Sequence, residues 1–368
     1  MKSGWDLVCL EDCLQKVVLT SKINSQYYLN EGLYPVVSQE LSLISGFWNT
    51  EQDVFKHEAP VIVFGDHTRV LKYIDFDFVI GADGVKILLP KKEVEAKYLY
   101  YFLLWKNIPS LGYSRHYKLL KEVKVLKPSI QIQRQIINEL DTLNDIITKK
   151  KQQLEELDKL AQATFYEMFG DPELDSTPWK KVALINVCNK ITDGTHLGPK
   201  FVNEGIPFLF ISNIQSNEIT YETNRFITEF DYLKLTKSTP IEIGDILYTS
   251  VGSYGNPAIV KSDKKFCFQR HIAHLKPNYE KLNSTFLHAL LQTPFVKNQA
   301  DRLAIGVAQK TLNLSAIRKI QIILPPIENQ ISYVELLVNI ESQKSLILQS
   351  LTDTQQLFDY TMNKYFGS

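Results

Sequence analysis

The chain has 368 residues, no net charge, 44% hydrophobic side chains and 11% aromatic ones, a globular composition long enough for two or three domains. Neutrality argues against a simple polybasic nucleic-acid binder, and four cysteines without a pair of Cys-x-x-Cys clusters point to a reduced, cytoplasmic protein with no structural zinc. No apolar run follows the opening "MKSGWDLVCLEDCL" as a signal peptide would require, and the longest apolar stretch, "YLYYFLLW" (98–105), is too short to span a bilayer.

The first elements in chain order are short. Trp5-x-x-Val8-x-Leu10 opens the chain, with Cys9 and Cys13 expected in a core. "APVIVFGDH" (59–67) and "FDFVIGADGVKILLP" (76–90) predict strands punctuated by Gly, Asp and Pro, and "EAKYLYYFLLW" (95–105) a short helix. After Pro128 the pattern changes. Apolar residues fall at Ile136, Leu140, Leu143, Ile147, Leu154, Leu157, Ala161 and Met168, in alternating steps of four and three. Lys150 and Thr164 fill the remaining slots. That is a heptad seam, led in by a proline and closed by Gly170. About 40 residues at ~1.5 Å each make a rod of ~60 Å.

A Pro-rich acidic link, 171–178, leads to Trp179-x-x-Val182-x-Leu184 and a second set of strands. These are "GDILYTSVGSYGNPAIV" (244–260) and "KFCFQRHIAHLKP" (265–277), followed by a helix at "NSTFLHALLQT" (283–293). Pro325-Pro326 then lead into a second seam at Leu337, Ile340, Ile347, Leu351, Phe358 and Tyr365, interrupted by Lys344 and Thr354. The chain closes on "NKYFGS".

The two seams are copies. At an offset of 197 residues Phe169 meets Phe366, Gln133 meets Gln330 and Pro128 meets Pro325, without gaps from about Leu120/Ile317 to Gly170/Gly367. Such a tandem repeat has a variable globular part and a constant helical part, and each Phe-Gly is expected to close one unit. Four segments follow: 1–128, 129–170, 171–325 and 326–368. Lys plus Arg against Asp plus Glu run 16 to 15, 5 to 7, 18 to 14 and 2 to 5 across them, so the third is basic and both helices are acidic. Two amphipathic rods most economically bury their seams on each other. The alternative is two core helices of one globule.

Catalytic signatures are absent. "GADGVK" (81–86) lacks the phosphate-loop spacing, "GSYGNPAIV" (252–260) lacks the Asn-Pro-Pro-aromatic motif of amino-methyltransferases, and there is no His-Glu-x-x-His. Polar loops remain. In the first variable part they carry His67, Arg69, Lys72, Arg115, His116 and Lys118. In the second they carry Lys190, Thr192, Thr195, His196, Thr249, Ser250, Tyr254, Arg270, His271, Gln309 and Lys310. Such side chains read base edges and hold phosphates. For any single one the alternative is a solvated turn. Asp66 and Asp193 read as loop braces, and His274 and His288 as core histidines.

"LPPIENQISYV" (324–334), its degenerate copy "KPSIQIQRQII" (127–137), the junction "MFGDPELDSTPW" (168–179) and "TDGTHLGPKFVNEGIPFLFISNI" (192–214) resemble motifs of the specificity (S) subunits of type I restriction–modification systems. "GDILYTSVGSYG" (244–255), "FGDHTRVLKYIDFDFVIGADGVKIL" (64–88) and "GYSRHYKLLKEV" (112–123) are similar to their target recognition domains. The resemblance covers nearly the whole chain. It implies an α+β fold: two mostly-β target recognition domains with short helices, separated by two long antiparallel coiled-coil helices in a pseudo-twofold tandem repeat. It also implies a non-catalytic subunit in which each domain reads one half of a bipartite DNA target and the helices set the spacer. Two modification (M) subunits, holding S-adenosylmethionine and methylating adenine, would dock on it, and restriction (R) subunits, using ATP and Mg, would join them. The alternative is a coiled-coil adaptor or decoy that binds M subunits without reading DNA. An enzyme acting alone comes third.

Overall fold

A computed structural model describes residues 4–367 apart from Tyr113, Asp175, Ser176, Leu197, Ser216 and Ala308. The expected return link at 171–178 therefore falls partly outside the described residues, as do single positions in three of the polar loops. The fold is α+β, with two long helices, Ile130–Phe169 and Ile327–Phe366, of 40 residues each. The chain divides into two compact units. One comprises residues 1–153 together with 347–368; the other is 154–346.

In the first unit a four-stranded antiparallel sheet runs in the order Leu14–Gln15, Val85–Pro90, Val61–Gly65, Leu71–Ile74. A second sheet is centred on Phe78–Gly81, which pairs parallel with Lys22–Ile23 and Tyr34–Val37. Asp6–Cys9 pairs with Lys124–Lys127 to bring the start of the unit beside its long helix. Alternation along that two-stranded ribbon turns Cys9 outward while Cys13 is buried, so the expected core position of Cys9 is corrected. The helix Ala96–Lys106 buries Tyr98, Leu99 and Phe102 against Ile136 and Leu140.

The second unit repeats the plan. Its four-stranded sheet has the order Cys188–Asp193, Ile272–Pro277, Ile246–Thr249, Pro257–Ile259, and Lys181–Ala183 pairs with Gln321–Ile323. The helix Ser284–Leu291, capped by the Asn283 side chain, buries Phe286, Leu287 and Leu290.

The long helices follow their heptads. Ile136, Leu140, Leu143 and Ile147 are buried, and Leu154 and Leu157 are half-buried. On the second helix Ile340 is buried while Leu337, Ile347, Leu351 and Phe358 are half-buried. The two lysine interruptions are bonded across the seam, whereas Thr164 and Thr354 donate to the carbonyls of Leu160 and Ser350 in their own helices. In the first unit Lys150 Nζ donates to Ser350 Oγ at 2.6 Å. In the second, Lys344 Nζ pairs with Asp158 at 2.8 Å and with Glu341 at 3.0 Å.

The Phe-Gly pairs do not close the units in which their helices begin. Phe169, fully buried, packs on Trp179, Phe286 and Tyr333 of the second unit. Phe366 packs on Tyr98, Phe102 and Trp105 of the first. Antiparallel pairing within each unit is the cause: the end of one helix lies beside the start of the other.

One joint is built identically twice. Gln133 and Gln330 are both fully buried. Gln133 Nε2 donates to the carbonyls of Glu93 (3.0 Å) and Pro128 (2.9 Å), and its Oε1 accepts from the Glu95 amide at 2.9 Å. Gln330 Nε2 donates to Lys281 (3.0 Å) and Pro325 (2.8 Å), and its Oε1 accepts from Asn283 at 2.9 Å. Each glutamine thus satisfies the backbone where a short helix begins and the long helix is led in.

Candidate nucleic-acid interface

In each unit the polar loops gather at one end of the four-stranded sheet. In the first unit the turn after Val61–Gly65 is tied down from three sides. The Asp66 amide donates to Gly84 O at 2.7 Å, and Thr68 Oγ1 donates to Gln39 O at 2.6 Å. The Tyr117 amide donates to Asp66 Oδ1 at 2.7 Å, so Asp66 is a brace. His116 is fully buried. Its Nε2 accepts from the Leu111 amide at 2.9 Å, which leaves Nδ1 as the donor to Asp66 O at 3.0 Å. Lys72 is also buried and donates to the carbonyls of Ser38 (2.8 Å) and Ser42 (2.6 Å), with burial lowering its pKa. Arg69 is half-buried, and its Nη1 donates to Ile108 O at 2.9 Å. His116 and Lys72 are therefore corrected from ligand contacts to loop fasteners, since their polar atoms are already engaged. His67 is half-buried, while Arg115 and Lys118 stand exposed on the same end.

The second unit assembles four segments. The Thr195 amide donates to Phe268 O and the Arg270 amide to Thr195 O, both at 3.1 Å. The Ser250 amide donates to His271 O (2.9 Å), Leu312 to Ser250 O (2.8 Å) and Gly252 to Lys310 O (3.0 Å). Gly194 permits the closest approach: a Cβ there would lie 2.2 Å from Phe268 O. Thr249 is fully buried, donating to Ser253 O at 2.7 Å, and Ser250 is buried beside it. Both are corrected to loop-building residues, because Thr249 closes the 249–256 loop on itself and Ser250 is buried with its backbone joined to His271 and Leu312. Tyr254 donates to Asp301 at 2.6 Å, and Lys190 to Ser238 O at 2.7 Å. Thr192 and Thr195 are half-buried.

The exposed groups at that end are His196, Arg270, Gln309 and Lys310. His196 Nε2 lies 2.9 Å from Asp193. His271 is held below the ordinary histidine pKa by burial and by the neighbouring Arg270 charge. It is neutral at pH 7, with its Nε2 3.3 Å from Arg270 Nε. The sequence pattern missed Gln39, whose side chain accepts from the His67 amide at 3.2 Å. His274 is the core histidine expected, 2.7 Å from Asp245; the pattern missed its partners Asp245 and Lys276, the latter donating to Asp245 at 2.7 Å. Among the described residues no three His, Cys, Asp or Glu side chains group as metal ligands, and no helix is long and apolar enough to cross a membrane.

Residues 2–158 and 177–353 match the family model described as type I restriction modification DNA specificity domain. The chain belongs to this family. It is 24% identical to the type I restriction enzyme MjaVIII specificity subunit of Methanocaldococcus jannaschii, over 85% of this chain and 80% of that one. It is 28% identical to the EcoBI specificity subunit of Escherichia coli over 41% of this chain and 32% of that one. In structure it resembles the S subunit of the type I system from M. genitalium, with a TM-score of 0.60, 16% identity and coverage of 98% and 95%. It also resembles a chain from a study of complex assembly and conformational transition of the type I R-M system, with a TM-score of 0.59 and 16% identity over 100% and 98%. Specificity subunits of these systems are non-catalytic DNA-recognition components.

Proposed function

We propose that each unit's loop cluster reads one half of a bipartite, asymmetric DNA target, and that the helix pair sets the gap between the halves and docks two M subunits. The observation that carries this reading is the duplication itself. One joint, Gln133 or Gln330, mounts two unlike polar loop clusters on copies of one helix. A constant mount bearing variable ends is what a two-part address requires. Arg115 and Lys118 serve the first half-site; His196, Arg270, Gln309 and Lys310 serve the second, as contacts to base edges or phosphates. Thr192, Thr195 and Tyr254 support that second surface.

The second helix supports docking. Outside its seam it exposes Leu336 and Val338 in the second unit, and Leu348, Leu357 and Tyr360 in the first, apolar positions suited to protein contact. The M subunits bring S-adenosylmethionine for adenine methylation, and R subunits bring ATP and Mg. The assembly works where the DNA is, in the cytoplasm. The test is a methylome: the chain is expressed with its M subunit in a methylation-free host and modified adenines are read by long-read sequencing. A split motif with a fixed gap is expected. An assembled complex that modifies no motif would favour the adaptor or decoy reading.

A further inference from the structure

Resting on the DNA reading above, we propose that Val307 recognises a thymine by apolar contact with its C5-methyl group in the major groove. Val307 is 104% exposed, the highest value among the large apolar side chains described. It sits on a turn that is held rather than slack. Ile305 and Thr311 exchange both backbone hydrogen bonds, at 2.9 and 2.8 Å, and the Lys310 carbonyl accepts from Gly252 at 3.0 Å. Gly306 has a φ of +108°, and a Cβ there would lie 2.5 Å from Gln309 O, so the turn is shaped around a glycine.

A β-branched apolar residue is disfavoured on such a turn, where Gly, Asn, Asp and Ser predominate. Val307 contributes no packing to its own fold. Its surroundings identify what it meets. Gln309 and Lys310 are exposed on the same turn, and Ser250 and Gly252 tie the turn to the loop carrying exposed Arg270. Apart from Ile305, 61% exposed on the same turn, this is a small apolar point among hydrogen-bond donors, not the broad patch of a protein-docking face. Thymine is the base whose major-groove edge sets a methyl group beside an acceptor, O4. Valine suits that contact because its branched side chain has little rotamer freedom to lose.

The experiment uses the assembled complex of this chain with its M subunits and duplexes carrying its methylated motif. Each thymine is replaced in turn by deoxyuridine, which removes only the methyl group. Wild type is expected to lose affinity about three- to fivefold, the equivalent of one buried methyl group, at one position in one half-site. Val307→Ala is expected to bind the thymine duplex with that loss already present and to show no further loss with uracil. Equal uracil sensitivity in both proteins at every position would overturn the proposal. That outcome leaves the bipartite reading standing. Failure to methylate any motif would remove that reading and this one together.

Discussion

Gln133 and Gln330 each complete three hydrogen bonds to backbone groups while fully buried. Replacing either with leucine keeps the bulk but leaves two carbonyls and an amide without partners, at about 1–3 kcal/mol for each unsatisfied group. Each substitution is expected to lower the urea midpoint of its own unit by an amount equivalent to at least about 2 kcal/mol. An unchanged midpoint would mean that the joint repacks. Asp245 makes the complementary case with charge. Burial pushes its pKa up, but hydrogen bonds from His274 and Lys276 outweigh this and hold it below the ordinary carboxylate value. Its folded pKa is therefore depressed, so its contribution is present above about pH 4 and lost as pH falls through the lower folded value. Asp245→Asn should destabilise the second unit by about 2 kcal/mol at pH 7, because His274 and Lys276 lose a charged acceptor while Lys276 keeps Glu242 at 2.8 Å. It should also flatten the acid limb of a stability-against-pH curve. A limb as steep as in the wild type would assign the acid sensitivity to another carboxylate. At this scale the sequence was partly legible. The Gln133/Gln330 match stood out because a polar residue recurred in register within an apolar lead-in. His116 and Lys72 misled because a loop rich in Arg, Lys and His looks the same whether its side chains face outward or fasten the loop.

The long helices were the most legible elements, because a heptad seam is local and periodic. Pro128 and Gly170 marked their limits, and the helix runs Ile130–Phe169. The short strands were legible as apolar runs, but their partners were not. Lys22–Ile23 and Tyr34–Val37 both pair with Phe78–Gly81, a connection over tens of residues that no local pattern encodes. The ruler proposal makes its prediction at this level. Deleting one heptad from each helix removes ~10 Å, equivalent to about three base pairs. The methylated motif should keep both half-sites and lose about three positions from its gap. Altered half-sites would sink the ruler.

For the whole molecule, neutrality bears on affinity. With the first unit's globular segment near neutral and both helices acidic, the surplus of positive charge in residues 171–325 is cancelled over the whole chain, which leaves no net attraction for DNA. Alone it should bind weakly at physiological salt and weaken further as salt rises, and addition of M subunits should tighten the complex. Fluorescence anisotropy across a salt series measures this directly. Tight, specific binding by the isolated chain at physiological salt would contradict it.

The burial of Phe366 against Tyr98 and Phe102 also bears on synthesis. The first unit is discontinuous, 1–153 with 347–368, whereas the second is one uninterrupted stretch. On the ribosome the aromatic surface of Tyr98 and Phe102 emerges first, yet its cover is translated ~260 residues later, roughly 13–50 s at ordinary elongation rates. Over that interval the second unit can complete its own core while the first stays open at the place where Phe358, Met362 and Phe366 belong. The released chain truncated after residue 346 should therefore carry a protease-resistant second unit and a first unit that proteases can still reach.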